Sequence, residues 1–180
     1  MHVIENATEE ATFQKVAEIY EDHPRIIIPS FGLHPWYLNN VTKEWKENLR
    51  KFLDKYPNAF VGEIGLDWGK KDSISKETQL YYFLEQLKLA YEYKRPVSIH
   101  SVRCHGEMLK IMKKEFGSGS TKKTVITDES LSSDYVQKII MHSYSGSVEI
   151  AQSMAKLQKA EIYFSFSLLA SQKSFEIMQS

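Results

Sequence analysis

Short runs of apolar and β-branched residues alternate along the chain with longer segments of helical periodicity. The short runs predict six β-strands, at residues 2–5, 26–31, 59–66, 96–101, 138–143 and 161–167. In the longer segments apolar residues recur every three or four positions, which predicts helices at residues 8–21, 42–55, 76–94, 106–114, 148–159 and 171–178. This alternation is typical of an α/β protein with a parallel sheet and crossover helices, arranged either as an open doubly wound sheet or as a closed barrel.

One stretch does not follow this alternation. Residues 117–134 begin with GSGSTKK and are mostly small and polar, which predicts a surface insertion after the helix that follows the fourth strand. The stretch lacks the Gly-Lys-Ser/Thr ending of a phosphate-binding loop, so we do not assign it that role. The rest of the sequence contains no domain-scale linker, and we expect one domain over residues 1–180.

The composition narrows the class of protein. Hydrophobic residues make up 42% of the chain and charged residues 26%, which is typical of a folded globular protein. The 23 basic and 23 acidic residues cancel, so a broad basic surface for wrapping duplex nucleic acid is not expected. No apolar run is long enough to span a membrane, and the single cysteine, Cys104, suits a reducing compartment. We therefore expect a soluble protein of the cytoplasm or the nucleus, without a membrane partner.

Candidate chemistry begins with two carboxylates in the third predicted strand. In VGEIGLDW, Glu63, Gly65 and Asp67 share one face, because side chains in a strand alternate with a period of two. Gly65 lies between the two acids and leaves room for a close approach at that point. The fourth strand ends at His100 and the fifth ends at His142, each about 40 residues after the preceding candidate, which is close to one strand–helix unit.

These spacings predict that Glu63, His100 and His142 meet at one edge of the sheet. In parallel α/β folds this edge carries the active site. A single polar residue at a strand end is more often a hydrogen-bonded structural group, but three at equivalent ends favour a metal site. Imidazole and carboxylate ligands suit Zn²⁺, Mn²⁺, Fe²⁺ or Mg²⁺, and a hydrolase uses such an ion to activate water.

Four further residues lie near these candidates in the sequence: His34, Asp67, Arg103 and Tyr144. We predict that Asp67 orients one of the histidines and that His34, in the loop FGLHPW, faces a substrate or orients a ligand. Trp36 follows His34 as a candidate exposed aromatic residue. We predict that Arg103 and Tyr144 flank the ligands, where Arg103 could bind phosphate.

Other catalytic arrangements fit the sequence poorly. No G-x-S-x-G motif is present, which argues against a serine hydrolase of that type. Cys104 and His105 are adjacent, and neighbours in a helix point about 100° apart, so they do not form a thiol–imidazole pair.

The segments GLHPW, VGEIGLDW, QLYYFLEQLKLAYEYKRPVSIHS and IIMHSYSGS resemble, in order and spacing, the TatD family of metal-dependent deoxyribonucleases. The resemblance implies a TIM-barrel-like fold of the metallo-dependent hydrolase type and a two-metal phosphodiesterase site. It implies that Glu63 is the catalytic carboxylate that bridges two divalent ions (Mg²⁺, Mn²⁺ or Zn²⁺), with His100 and His142 as ligands of one ion. DNA or another phosphodiester would be the substrate.

Two family elements have no counterpart in this sequence. The family's first strand carries an Asp-x-His-x-His-like motif, and a late strand carries a Glu-Thr-Asp-like motif whose aspartate serves the same metal. We therefore expect about six of the eight strand–helix units of a barrel, shortened at both ends, with one metal site intact. Weak or absent nuclease activity would follow for this chain. The alternatives are a catalytically inactive relative that acts as a scaffold or binding protein, and a fragment of a longer active enzyme.

Overall fold

A computed structural model describes residues 2–69, 74–117 and 136–167 of the chain. Strands and helices alternate throughout these residues. The strands are β1 (Val3–Asn6), β2 (Ile27–Phe31), β3 (Phe60–Asp67), β4 (Val97–Val102), β5 (Gln137–Met141) and β6 (Ala160–Phe164). The helices are α1 (Glu10–Asp22), α2 (Trp45–Lys55), α3 (Lys76–Glu92), α4 (His105–Phe116) and α5 (Val148–Ala155), with a short 3₁₀ helix at Leu38–Asn40. None of the helices within the described ranges is long and apolar enough to cross a membrane.

The six described strands form one sheet in which all neighbours are parallel. Their spatial order is β1-β2-β3-β4-β5-β6, the same as their order in the chain. A doubly wound sheet would reverse this order at a switch point, whereas a (β/α) barrel keeps it. The predicted α/β fold is therefore confirmed in its TIM-barrel-like form, and the doubly wound alternative is excluded.

The hydrophobic core lies between the sheet and the helices. Strand β3 is buried along almost its whole length, as expected for a strand of a parallel sheet covered on both faces. Phe13 of α1 packs edge-on against Phe31 of β2 and Phe52 of α2, with ring centroids 5.6 and 5.3 Å away. Helix α3 packs against β3, α4 against β4 and α5 against β6, so each crossover covers the strands that it connects.

The longest helix shows how the sequence sets its own boundaries. The hydroxyl of Ser75 accepts the backbone N–H of Thr78 and caps the start of α3. At the other end Lys94 adopts a left-handed conformation with φ of 53°, and the N–H of Arg95 donates to the carbonyl of Ala90. This is a Schellman ending. The helix stops two residues before the predicted limit, because the left-handed Lys94 ends the helical run.

The predicted strands all exist, but two of them were predicted to end too late. Strand β5 ends at Met141, because the backbone N–H groups of Ser143 and Tyr144 donate to Ser165 and turn the chain out of the ladder. Strand β6 ends at Phe164 and helix α5 at Ala155, several residues before their predicted limits. The predicted helix at 171–178 and the predicted insertion at 117–134 lie outside the described residues, except for Gly117, which follows α4.

Candidate metal centre

Three polar side chains converge on neighbouring strands: Glu63 lies within β3, His100 lies within β4, and His34 lies in the loop after β2. One ligand-type atom from each of His34, Glu63 and His100 lies within 4.8 Å of the others. His100 of β4 pairs in register with Gly65 of β3, which places Glu63 and His100 at the same edge. His34 lies three residues after β2, where its backbone N–H donates to the carbonyl of Thr8 at 2.8 Å.

Gly65 allows the close approach of β3 and β4 on which this arrangement depends. Its φ is 143°, a conformation that residues with a side chain rarely adopt. A Cβ at this position would lie 2.0 Å from the carbonyl oxygen of His100. The expectation that Gly65 makes room for a close neighbour is confirmed, and that neighbour is the backbone of β4.

The imidazole of His100 lies between two carboxylates. Its Nδ1 is 3.2 Å from Oε1 of Glu63, and its Nε2 is 3.0 Å from Oδ2 of Asp67. Asp67 is itself held by the indole N–H of Trp36, at 2.8 Å, and by the backbone N–H of Gly69, at 2.7 Å. A carboxylate that fixes one nitrogen of a histidine while the other faces a metal is a common arrangement in metal sites. Asp67 lies where the predicted orienting carboxylate would lie.

Burial and hydrogen bonding shift the pKa values of the ionisable groups in this cluster. Burial, together with the nearby charge of His100, lowers the pKa of His34 to about 4, so His34 is neutral at pH 7. For His100, burial acts to lower the pKa, but the hydrogen bonds to Glu63 and Asp67 outweigh it and the pKa is raised. For both carboxyl groups, burial acts to raise the pKa, yet the bonds to His100 prevail and the pKa is lowered. Glu63 and Asp67 are therefore ionised, as metal ligands and their orienting partners must be.

The neutral ring of His34 has a defined tautomer. Its Nδ1 accepts the backbone N–H of Trp36 at 3.2 Å, so the ring proton is on Nε2. In this state His34 offers a hydrogen-bond donor to a substrate. To bind a metal through Nε2, the ring would have to move its proton to Nδ1 and lose the bond to Trp36.

His142 is the second predicted histidine ligand near the carboxylate of Glu63. It follows β5 directly, and its backbone N–H donates to the carbonyl of Ile99 at 2.8 Å, one step beyond the end of the strand. Its Nε2 is 3.9 Å from Oε1 of Glu63, and its side chain is 41% exposed. The two predicted histidine ligands thus both lie within 4 Å of the third predicted ligand, the carboxylate of Glu63.

Arg103 and Tyr144 are not brought into this cluster. Arg103 is exposed after β4 and makes no hydrogen bond or ion pair with any residue in the described ranges. Tyr144 is only 1% exposed, and its hydroxyl donates to the carbonyl of Ser147 at 2.9 Å, at the start of α5. Burial raises the pKa of this hydroxyl to about 12. A substrate contact by Tyr144 would require it to leave this position.

The thiol of Cys104 is a structural group. Its Sγ donates to the carbonyl of Leu66 at 3.3 Å and lies 3.4 Å from the hydroxyl of Ser101. Burial raises its pKa, which removes the thiolate that a nucleophilic cysteine needs.

Two buried glutamines of α3 position the cluster, and the sequence analysis did not identify them. The side chain of Gln79 accepts the N–H of Asp67 at 2.8 Å and donates to the same residue's carbonyl at 3.1 Å. Gln86, seven residues later, does the same for Leu33, at 2.7 and 3.2 Å. Each glutamine therefore pairs with both backbone groups of one residue: Gln79 with those of Asp67, and Gln86 with those of Leu33, which precedes His34. The sequence did contain a sign of this role, because both glutamines stand at positions of α3 where the helical periodicity predicts buried apolar residues.

The chain matches the family model described as TatD related DNase over residues 1–179. Among curated proteins it is similar to the Cut9-interacting protein scn1 of Schizosaccharomyces pombe, with 29% identity over 85% of this chain and 67% of that protein. It is also similar to YjjV of Escherichia coli, an uncharacterized metal-dependent hydrolase, with 30% identity over 86% of this chain and 53% of YjjV.

The crystal structure of YjjV has the same architecture. It superposes with a TM-score of 0.67 and 27% identity, over 89% of this chain and 55% of that chain. The 3'-5' ssDNA/RNA exonuclease TatD of Erwinia tasmaniensis is 30% identical over 56% of this chain and 38% of its own length. The chain spans about two thirds of scn1 and about half of YjjV.

Proposed function

The chain belongs to the family of TatD-related DNases, and from this premise we propose that it is a metal-dependent hydrolase of phosphodiester bonds in nucleic acid. The observation that carries the proposal is the position of Glu63, whose Oε1 lies 3.2 Å from Nδ1 of His100 and 3.9 Å from Nε2 of His142. An ionised carboxylate between two imidazoles is a donor set for a divalent cation. The family membership supplies the class of reaction.

Glu63, His100 and His142 would hold the ion. Their donor types fit Mn²⁺, Zn²⁺ or Mg²⁺, and Asp67 fixes Nε2 of His100 so that Nδ1 faces Glu63. Such an ion would polarise a phosphoryl oxygen and lower the pKa of a bound water. We further propose that the protein works in the cytoplasm or nucleus, where its phosphodiester substrates occur.

The neighbouring residues would bind and orient the phosphodiester. Neutral His34 carries its ring proton on Nε2 and can donate it in a hydrogen bond to a phosphate oxygen. Arg103 is exposed at the end of β4 and can reach a flanking phosphate. The side-chain amide of Gln86 holds the backbone of Leu33, next to His34, and so fixes the position of that ring.

Isothermal titration of the purified chain with Mn²⁺ tests the metal centre. We expect about one tight ion per chain, with binding lost in Glu63→Gln and unchanged in Glu149→Gln, whose carboxyl is on the exposed surface of α5. Two tight ions, or equal binding by both variants, would show that the ligands are wrongly assigned.

Cleavage of a fluorescent oligodeoxynucleotide with Mn²⁺ tests the reaction. We expect slow cleavage that stops with EDTA and in Glu63→Gln but persists in Glu149→Gln. Tight Mn²⁺ binding without any cleavage that depends on Glu63 would instead favour a non-catalytic binding protein built on the same fold.

A further inference from the structure

The ring of His142 is held by fewer contacts than the rings of the other two histidines of the site. Two carboxylates fix His100, and the backbone N–H of Trp36 donates to the ring of His34. Among the residues that the structure describes, none hydrogen-bonds the ring of His142, whose Nε2 lies 3.9 Å from Oε1 of Glu63. The position of this imidazole is therefore set by its own backbone.

The backbone around His142 meets a single serine at the end of the neighbouring strand. Met141 is the last residue of β5 in register with β6. Ser165 follows β6, and its N–H donates to the carbonyl of Met141 at 3.1 Å. Its hydroxyl accepts the N–H of Ser143 at 3.0 Å, and its carbonyl accepts the N–H of Tyr144 at 2.8 Å. All three polar groups of Ser165 thus bind residues that flank His142.

This arrangement differs from an ordinary continuation of the parallel ladder. If the ladder continued, Ser165 would pair with His142, and its carbonyl would accept the N–H of Ser143. Instead the hydroxyl takes that N–H, and the carbonyl takes the N–H of the next residue. Ser143 is left-handed, with φ of 45°, a conformation that residues other than glycine keep only where their surroundings hold them. The side-chain acceptor therefore lets the chain leave the sheet directly after His142.

An aromatic contact anchors the far side of this turn. The ring of Tyr144 packs edge-on against Phe164, which precedes Ser165, with ring centroids 4.9 Å apart. The same end of β6 thus holds the turn through an aromatic contact and through hydrogen bonds. The aromatic contact does not depend on the serine hydroxyl. Removal of that hydroxyl should therefore loosen Ser143 and His142 without detaching the whole loop.

We propose that Ser165 is a positioning residue for the imidazole of His142. Its hydroxyl fixes the turn at Ser143, and the turn holds the imidazole beside Glu63, where it can bind a divalent ion. This inference rests on the proposed function for the role of the ion, and it adds a residue that acts on the ion only through His142. The side chain at this position must carry an acceptor close to the backbone, as serine and threonine do and alanine does not.

Isothermal titration with Mn²⁺ tests this role in three variants. We expect Ser165→Ala to weaken Mn²⁺ binding by about 10-fold, a loss typical of residues that orient a metal ligand. Ser165→Thr keeps the hydroxyl and should stay within about threefold of the native protein. Ser153→Ala is the matched control, since it removes a hydroxyl that donates to the carbonyl of Glu149 within α5, and Mn²⁺ binding should be unchanged.

A double variant separates positioning from a general loss of structure. In the His142→Ala background no imidazole is left to position, so the addition of Ser165→Ala should change Mn²⁺ affinity by less than about twofold. A loss of about 10-fold in both backgrounds would show that the serine acts on the fold as a whole, and the proposal would fail. Native affinity in Ser165→Ala would also overturn it.

Histidine ring signals in nuclear magnetic resonance spectra report the position of His142 without any metal. In EDTA we expect Ser165→Ala to shift the signal of His142 and to leave that of His100 in place, with recovery in Ser165→Thr. An unmoved signal of His142, or equal shifts of both histidines, would contradict the proposal.

The native protein provides a measurement that does not depend on the folding of any variant. Because the N–H of Ser143 donates to the hydroxyl of Ser165, its amide hydrogen should exchange with solvent at least about 10-fold more slowly than in an unstructured chain. Exchange at the unprotected rate would show that the turn is not held, and the proposal would be rejected.

The two proposals fail separately. If the native protein binds Mn²⁺ through Glu63 and Ser165→Ala binds it equally well, the positioning role alone is rejected. If the native protein binds no Mn²⁺, the hydrolase is rejected, and the ring signals in EDTA still decide whether Ser165 positions His142.

Discussion

The candidate site has a buried side and an exposed side. On the buried side His34 is 5% exposed and the side chain of His100 is 16% exposed, and the surrounding backbone is held by side chains of α3. On the exposed side the side chain of His142 is 41% exposed, and the residue follows a strand that has already ended. The buried side sets ionisation and orientation through fixed hydrogen bonds, whereas the exposed side is open to solvent. A binding site needs both properties, and here they come from adjacent strands.

The largest expected effect comes from breaking the buried side at its centre. His100→Ala should weaken Mn²⁺ binding by more than about 100-fold, beyond the loss typical of residues that only orient a ligand. It also leaves two buried carboxylates without their shared partner, so the free energy of unfolding should fall by about 3 kcal/mol. Isothermal titration and urea unfolding without metal measure the two effects. In His142→Ala we expect a smaller loss of affinity than in His100→Ala, because the ring of His142 is more exposed and lies farther from Glu63, and equal losses in both variants would contradict the comparison.

The next largest effect is expected from removing the hydrogen bonds by which Gln86 of α3 holds the backbone of Leu33. Gln86→Leu leaves the N–H and carbonyl of Leu33 buried without their side-chain partner, which should lower the free energy of unfolding by about 2 to 3 kcal/mol. Because His34 follows Leu33, oligonucleotide binding should also weaken in the folded variant. Gln14→Leu, at an exposed position of α1, is the control. If oligonucleotide affinity, measured well below the unfolding temperature, is unchanged in Gln86→Leu, then the clamp serves stability alone.

The pH dependence of the free energy of unfolding tests whether His34, on the buried side, is neutral in the folded protein. The pKa of His34 is lowered to about 4 in the folded protein, so between pH 6.5 and 4 the unfolded chain binds a proton that the folded chain does not. The stability that neutral His34 contributes is complete above pH 6.5 and is lost as the pH falls towards 4. From pH 7 to 5 this loss amounts to about 2 kcal/mol.

Urea unfolding of the native protein and of His34→Asn, both in EDTA, measures this contribution. The native protein should lose about 2 kcal/mol more than the variant between the two pH values. Parallel pH dependences would show that His34 is not buried in a neutral state.

The smallest effect is expected from Tyr144, near the exposed side. Tyr144→Phe removes the bond to the carbonyl of Ser147, which should lower the free energy of unfolding by about 1 kcal/mol. Mn²⁺ affinity and oligonucleotide binding should stay within about twofold of the native values, as expected for a residue that packs rather than binds. A loss of Mn²⁺ affinity of about 10-fold in this variant would instead place Tyr144 in the site.

Much of the fold was predictable because its signals are local. Strand and helix periodicities lie within single segments, so each of the six strands was found near its observed position. The ends of β5 and β6 were missed, since a tertiary contact, the pairing of Ser143 and Tyr144 with Ser165, turns the chain there. Glu63, His100 and His142 were found as candidates for the same local reason, although Glu63 lies in the middle of β3 rather than at its end.

The sequence by itself determined the alternation of strands and helices, the family, and the polar residues at the strand ends. Only the tertiary structure decided how these residues meet. The register of β3 against β4 shifts between Val61 and Ile64, and Glu63, within this shift, and Asp67, beyond it, lie at opposite nitrogens of His100. The burial of His34, the burial of Tyr144 and the clamps by Gln79 and Gln86 also depend on pairings between segments far apart in the chain. Periodicity cannot specify such pairings, because it reports only which face of one element is buried.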